Sequence, residues 1–137
     1  MAFQNVRQAL QTASKKLSRR ALHWRMRGQP EADILVAERK LRGVEQFDKL
    51  HRADVVIVSF GKSGRTWLRV MISHLFRVMY KFPENAILGF DNFHNLNREV
   101  PKTFFTHDNY IKDFTGDFDT KAPFYDKRVI LLARDPR

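Results

Sequence analysis

Residues 55–68, Val-Val-Ile-Val-Ser-Phe-Gly-Lys-Ser-Gly-Arg-Thr-Trp-Leu, decide the fold that this sequence predicts. The first six form a largely apolar run rich in β-branched residues, which is typical of a strand buried in a parallel sheet. A loop with two glycines follows at once. From Thr66 to about Lys81 the chain is strongly apolar, which predicts a helix buried on most of its sides. Polar residues recur there at every fourth position, at Arg69, Ser73, Arg77 and Lys81.

The loop at residues 61–64 has the composition of an anion-binding turn. Gly61 and Gly64 let the backbone turn sharply and approach a phosphate closely. The N–H groups at the start of the following helix point outward at the positive end of its dipole, where an anion is favoured. Lys62 adds a mobile positive charge, and Ser63 and Thr66 add hydroxyl donors. The unit therefore predicts a phosphate-binding strand–loop–helix.

Two further short strands are predicted, at Thr103–Thr106 and Val129–Ala133, the second as a buried apolar run. The alternation of strands and helices indicates an α/β fold with a mainly parallel sheet flanked by helices. Lys62, His107 and Arg134 each lie just beyond the end of a strand, and the carboxyl ends of parallel strands share one edge of the sheet. Because open α/β sheets bind ligands at that edge, we expect these three side chains to converge there.

Two other segments are predicted to be surface loops. Pro83–Pro101 has no regular pattern and is expected to be a long connection rather than a packed element. Asp113, Asp117 and Asp119 lack the ligand spacing of a calcium loop and are assigned to an acidic surface loop.

Composition narrows the class of protein. A chain of 137 residues fits one domain, and 43% hydrophobic residues with 12 Phe argue against disorder. The chain has no Cys, which excludes disulfides, thiolate zinc sites and thiol nucleophiles. No apolar run approaches the roughly 20 residues needed to span a bilayer. No metal-ligand cluster has a recognisable spacing. We expect a soluble, cytoplasmic protein without a metal.

The net charge of +10 is concentrated at the N-terminus, where residues 1–30 hold seven Lys or Arg and no acidic residue. Apolar residues fall along one stripe at helical spacing, at Phe3, Val6, Leu10, Ala13, Leu17 and Trp24. Three interpretations of this basic amphipathic helix stay open: a helix docked on the domain or a partner, an element that contacts a membrane surface or nucleic acid, and a removable targeting peptide. A docked helix is the commonest outcome of such a pattern.

Gly28-Gln29-Pro30 breaks the first helix, and Glu31–Leu50 predicts a second. The sequence therefore divides into basic and amphipathic helices at 1–50 and an α/β region at 51–137.

The order Gly-Lys-Ser-Gly-x-Thr-Trp-Leu at 61–68 resembles the donor loop of sulfotransferases that use 3'-phosphoadenosine 5'-phosphosulfate (PAPS), commonly Pro-Lys-Ser-Gly-Thr-Thr-Trp. Gly61 stands in place of the usual Pro, and Arg65 in place of a Thr. The resemblance implies that backbone N–H groups of 62–66 hold the 5'-phosphate of the donor. It further implies that Lys62 stabilises charge on the bridging oxygen and that Trp67 stacks on the adenine. Arg65 is suited to a bidentate phosphate contact.

Two more segments resemble the same family. Lys-Thr-Phe-Phe-Thr-His at 102–107 is similar to the family's Lys-Thr-His segment, with Phe105 in place of its Lys, and implies that His107 is the general base. Val-Ile-Leu-Leu-Ala-Arg-Asp-Pro-Arg at 129–137 resembles the strand that ends in Arg-Asn/Asp-Pro-Arg/Lys. It implies that Arg134 binds the 3'-phosphate of the donor.

The resemblance implies sulfuryl transfer from PAPS, as co-substrate, to a hydroxyl or amine of a small-molecule or carbohydrate acceptor. Residues 83–125 are expected to shape acceptor choice. The chain ends directly after the strand that carries Arg134, so we expect the N-terminal part of a sulfotransferase domain, truncated and deficient in activity by itself. Apolar surface on Val129–Ala133 and on the Trp67–Tyr80 helix should then be exposed.

The predicted site thus contains two catalytic residues, Lys62 and His107, and seven donor-binding residues, Lys62, Ser63, Gly64, Arg65, Thr66, Trp67 and Arg134. Two rivals remain. A P-loop kinase or NTPase shares the strand–loop–helix unit, but Walker A spacing requires a glycine at position 56, which is Val56. A non-enzymatic basic module would bind anionic membrane or nucleic acid through residues 1–30.

Overall fold

A computed structural model describes the backbone of residues 2–135 and the side chains of residue 10 and residues 13–135. The predicted stripe members Phe3 and Val6, and the last two residues of the third resembling segment, lie outside this description. Helices α1–α5 span Ala2–Arg25, Glu31–Arg52, Arg65–Tyr80, Asn92–Leu96 and Asn109–Thr115, and strands β1–β3 span Val55–Ser59, Thr103–Thr106 and Arg128–Leu132. No helix in this part of the chain is both long and apolar enough to cross a membrane.

The three strands form one parallel sheet in the order β2–β1–β3. Val55 is in register with Thr103 on one side and with Arg128 on the other, so all three strands end at the same edge. Val56 and Ile57 of the central strand are buried, as their continuous apolar run predicts. The predicted parallel sheet with flanking helices, an α/β fold, is confirmed.

One core cluster joins α2 to the sheet and to α5. Leu50, Ala53, Val56, Phe104 and Ile111 are its buried members. Helices α2 and α5 approach closely because Gly43 has no side chain; a Cβ there would collide with the Tyr110 carbonyl and the Phe114 side chain. This packing brings the middle of α2 beside the end of β2.

The segment Pro83–Pro101 is packed, and its prediction as a surface connection is wrong. Leu88, Phe93 and Val100 are buried and form a second core cluster against α3 and Phe105. Side-chain hydrogen bonds fix the chain before α4: the Asn92 amide oxygen accepts the Gly89 N–H at 2.7 Å, and its amide nitrogen donates to the Ile87 carbonyl at 2.8 Å. Isolated apolar residues thus find partners that no sequence period reveals.

Helix α3 packs only one face on the second core cluster, and that face includes part of its polar stripe. Ser73 is fully buried; its hydroxyl donates to the Arg69 carbonyl at 2.6 Å and accepts the Leu88 N–H at 2.8 Å. The apolar residues Trp67, Met71 and Val78 are exposed instead. The prediction of a helix buried on most sides is therefore wrong.

Strand β3 lies at the edge of the sheet, and its apolar side chains are exposed to solvent. Val129, Ile130 and Leu131 are 45%, 49% and 67% exposed, so the prediction that they form a buried run is wrong. The expectation of exposed apolar surface on this strand and on α3 is confirmed.

The acidic segment has more structure than a loop. Asp113 lies in α5 and pairs with Arg39 of α2, while the Asp117 carboxylate accepts the N–H groups of Asp119 and Thr120 in a turn.

We expect Ser73→Ala to lower the free energy of unfolding by about 1–3 kcal/mol, because it leaves the buried Leu88 N–H without an acceptor. Ser18→Ala is the matched control: Ser18 also donates to the carbonyl four residues earlier, but at an exposed position. It should change stability by no more than about 0.5 kcal/mol. Chemical denaturation of both variants measures the difference, and equal effects would contradict the buried role of Ser73.

Candidate functional site

The loop between β1 and α3 holds two residues in the left-handed backbone region. Gly64 has φ of 91°, and a Cβ there would meet nothing within 4 Å, so backbone conformation rather than space favours glycine. Lys62 has φ of 61°, which is uncommon for a residue with a side chain. The Ser63 hydroxyl donates to the Phe60 carbonyl at 2.8 Å and closes the turn from inside. This hydrogen bond therefore stabilises the loop in its observed conformation.

Helix α3 begins at Arg65, directly after this turn. Its first intrahelical bond runs from the Leu68 N–H to the Gly64 carbonyl at 3.0 Å. The N–H groups before Leu68 have no partner within the helix, and they lie at the positive end of a sixteen-residue dipole. The turn thus offers backbone donors to an anion, as the sequence predicts.

Three side chains around this turn are open to solvent. Lys62 is exposed and forms no ion pair with any described residue. Thr66 is exposed in the first turn of α3. Trp67 is 75% exposed, so it is not a core aromatic in the described structure, and its ring is accessible to a stacking partner.

His107 is fixed by a backbone carbonyl of the neighbouring strand. Its Nδ1 lies 2.5 Å from the Ser59 carbonyl oxygen. Because a carbonyl only accepts hydrogen bonds, Nδ1 must carry the proton. The neutral ring therefore has its free lone pair on Nε2, which is the nitrogen that can accept a proton. This bond also joins the carboxyl ends of β1 and β2.

The turn after His107 is held by a hydrogen-bond chain. Thr106 donates to the Gln46 side-chain oxygen at 3.0 Å and accepts the Asp108 N–H at 2.9 Å. The Asp108 carboxylate accepts from Lys121 at 3.0 Å, and this bond raises the pKa of the Lys121 ammonium. Position 107 is therefore fixed on both sides.

A cavity of about 300 Å³ opens beside His107. Nine residues line it: Arg39, Gln46, Arg65, Arg69, Phe105, Thr106, His107, Asn109 and Tyr110. It brings together two of the predicted site residues, His107 and Arg65. Lys62, Trp67 and Arg134 are not among its lining residues.

Two of the three guanidinium groups in this cavity have no acidic partner among the described residues. Arg39 pairs with Asp113 at 2.7 Å, whereas Arg65 and Arg69 form no ion pair with a described residue. Arg69 lies over the Phe105 ring, 4.5 Å from its centroid, and its Nε is buried without a hydrogen-bond partner. Burial, and secondly the charge of Arg65, lowers the pKa of the Arg69 guanidinium. A bound anion would relieve this repulsion.

Sequence reasoning missed Arg69, which the helical pattern assigned to the polar stripe of α3. A spacing of four residues from Arg65 places both on one face of the helix, and this is the signal that could have found it. Arg39 and Tyr110 carry no such signal, because only the packing of α2 on α5 brings them to the cavity.

Arg134 lies two residues beyond β3 and is exposed. Since Ser59 is in register with Leu132, the loop after β1 and the segment that carries Arg134 leave the sheet at the same edge. The topology therefore places Lys62, His107 and Arg134 beyond the same edge of the sheet, but of the three only His107 lines the cavity.

Comparison of the chain with sequence models of protein families, with curated proteins and with solved structures finds no match.

We expect neutral His107 to carry its proton on Nδ1. His94, whose Nδ1 lies 2.8 Å from the Val100 carbonyl, should show the same tautomer. His74, whose Nδ1 faces the Arg77 guanidinium, should carry its proton on Nε2 and serves as the control. Long-range ¹⁵N–¹H NMR distinguishes the two forms. A proton on Nε2 of neutral His107 would rule this nitrogen out as a base.

Proposed function

We propose that this chain carries the donor site of a PAPS-dependent sulfotransferase. The observation that carries the proposal is a turn with left-handed Lys62 and Gly64, opening onto the N-terminus of α3 at the same sheet edge as His107. An anionic ligand is favoured at this turn, and a histidine that can act as a base follows the neighbouring strand at the same edge. The resemblance of residues 61–68, 102–107 and 129–137 to the family supplies the identity of the ligand.

The donor's 5'-phosphate would be held by the N–H groups of 62–66, as the dipole and the unpaired donors favour. Arg65 adds a positive charge beside them. Arg69, one turn further along α3, gives the same face of the helix a second guanidinium that pairs with no described acidic residue. The P-loop-like character of the β1–loop–α3 unit is part of this proposal.

The other end of the donor would extend along the sheet edge. Arg134, beyond β3, would contact the 3'-phosphate, for which its planar guanidinium is suited. Trp67, which is open to solvent, would stack on the adenine.

In the transfer step, the acceptor oxygen or nitrogen attacks sulfur while the bond from sulfur to the bridging phosphate oxygen breaks. His107 Nε2 takes the proton of the acceptor. Lys62 stabilises the negative charge that develops on the bridging oxygen, and the product nucleotide leaves as 3'-phosphoadenosine 5'-phosphate. The cavity beside His107 would position the acceptor.

Calorimetric titration with 3'-phosphoadenosine 5'-phosphate tests the donor site. We expect Lys62→Ala to weaken its affinity roughly 10- to 100-fold, the range of a hydrogen bond to a charged group. Lys40→Ala removes an exposed lysine of α2 and should leave the affinity unchanged. Tighter binding of ATP than of the 3'-phosphorylated nucleotide would favour a P-loop kinase or NTPase instead.

His107→Ala separates binding from transfer. We expect it to keep the affinity for 3'-phosphoadenosine 5'-phosphate, because the general base contacts the acceptor rather than the product nucleotide. Whatever transfer the unmodified chain catalyses from ³⁵S-labelled PAPS to a panel of alcohols and amines should fall roughly 10²- to 10⁴-fold in this variant. Unchanged transfer in this variant would refute the assignment of His107 as the base.

A further inference from the structure

Helix α1 has a line of apolar side chains that points away from the protein. Leu10, Leu17 and Trp24 recur every seven residues, which is close to two helical turns, and are 65%, 64% and 77% exposed. We call these three residues the outer line. At 100° per residue they fall within a narrow sector of the helix surface.

The opposite side of α1 holds the helix on α2. The Lys15 ammonium lies 3.7 Å and the Arg19 guanidinium 3.9 Å from the Glu45 carboxylate, and His23 Nε2 lies 2.7 Å from Glu38. The hydrogen bond with His23 lowers the pKa of the Glu38 carboxyl. Helix α1 therefore contacts α2 through polar groups, and these contacts leave the outer line uncovered.

Cations flank the outer line on both sides. Helical spacing places Lys16 and Arg20 on one side and Arg25 on the other, and all three are exposed. None of them forms an ion pair with a described residue. Residues 1–30 contain no acidic residue, so no side chain of this segment opposes their charge.

We propose that α1 is a membrane-surface element that binds anionic lipid bilayers. The outer line would enter the boundary between headgroups and acyl chains, while Lys16, Arg20 and Arg25 contact lipid phosphates. An exposed apolar line bordered by basic residues is the pattern of helices that lie in the plane of the membrane. This inference is independent of the proposed donor site.

Charge and apolar exposure together favour lipid over other partners. A second copy of the chain would bring two segments without acidic residues face to face, so like charges would oppose association. Nucleic acid would bind the cations but would leave Leu10, Leu17 and Trp24 in water. An anionic bilayer would contact the cations through its phosphates and bury the apolar side chains of the outer line.

Co-sedimentation of the full chain with vesicles tests the proposal. We expect binding to vesicles of 70% phosphatidylcholine and 30% phosphatidylserine and little binding to pure phosphatidylcholine. Lys16→Gln with Arg20→Gln should weaken binding roughly 30-fold, at about fivefold for each cation near an anionic surface. Lys40→Gln with Arg98→Gln, two exposed cations outside α1, is the matched control and should change it little.

The outer line is tested by Leu10→Ser, Leu17→Ser and Trp24→Ser together, which should weaken binding at least about tenfold. Leu35→Ser with Val36→Ser removes exposed apolar residues of α2 and should have little effect. In a Trp67→Phe background, Trp24 is the sole tryptophan, and its fluorescence should shift to the blue on addition of anionic vesicles. Circular dichroism checks that each variant keeps its helical content.

Three results would overturn the proposal. The first is failure of the folded chain to sediment with anionic vesicles. The second is vesicle binding that survives loss of the outer line, as expected of a purely electrostatic contact that nucleic acid would share. The third is concentration-dependent self-association, lost in the triple serine variant, with no vesicle binding; this would assign the outer line to contact between copies. Because α1 lies outside the donor site, nucleotide titration of the α1 variants with Trp67 unchanged should be unaffected.

Discussion

The pairing of β1 with a parallel neighbour on each side is the constraint on which the rest of the structure depends. It places the ends of β2, β1 and β3 at one edge of the sheet, and the loop after β1 opens there between the other two. The hydrogen bond from His107 Nδ1 to the Ser59 carbonyl adds a cross-link at this edge. It orients the ring and selects the tautomer, so one backbone oxygen couples the geometry of the sheet to the chemistry available at position 107.

The orientation of α3 connects the second core to the cavity. Ser73 lies against the 83–101 segment because its hydroxyl satisfies the Leu88 N–H, and the same face of the helix carries Arg69 toward Phe105. Burying this mixed polar and apolar face leaves Trp67 and the apolar side chains behind it in solvent. This orientation of α3 buries less apolar surface than the helix could bury. It determines two features of the site, an accessible Trp67 indole and an Arg69 guanidinium that lines the cavity.

The molecule carries positive charge in two separate places with different surroundings. At the cavity, Arg65 and Arg69 lie close enough for the charge of one to lower the pKa of the other, which favours a compact anion between or beside them. On α1, the cations are spread along a helix and alternate with exposed apolar residues, which suits an extended anionic surface. Net charge alone does not distinguish these two places, whereas the position of each charge relative to apolar groups does.

The sequence by itself determined the elements whose signals are local. The strand–loop–helix at 55–80, the strand at 103–106 and the glycine at position 64 follow from apolar runs and backbone requirements that involve only neighbouring residues. The tertiary structure alone decided which face of α3 is buried, how 83–101 packs, and that Arg39, Tyr110 and Gln46 meet His107. The reason is physical, because a buried polar group is tolerated wherever a distant residue forms a hydrogen bond with it. The Ser73 hydroxyl, for example, accepts the Leu88 N–H. No periodicity in the sequence indicates which residue that partner is.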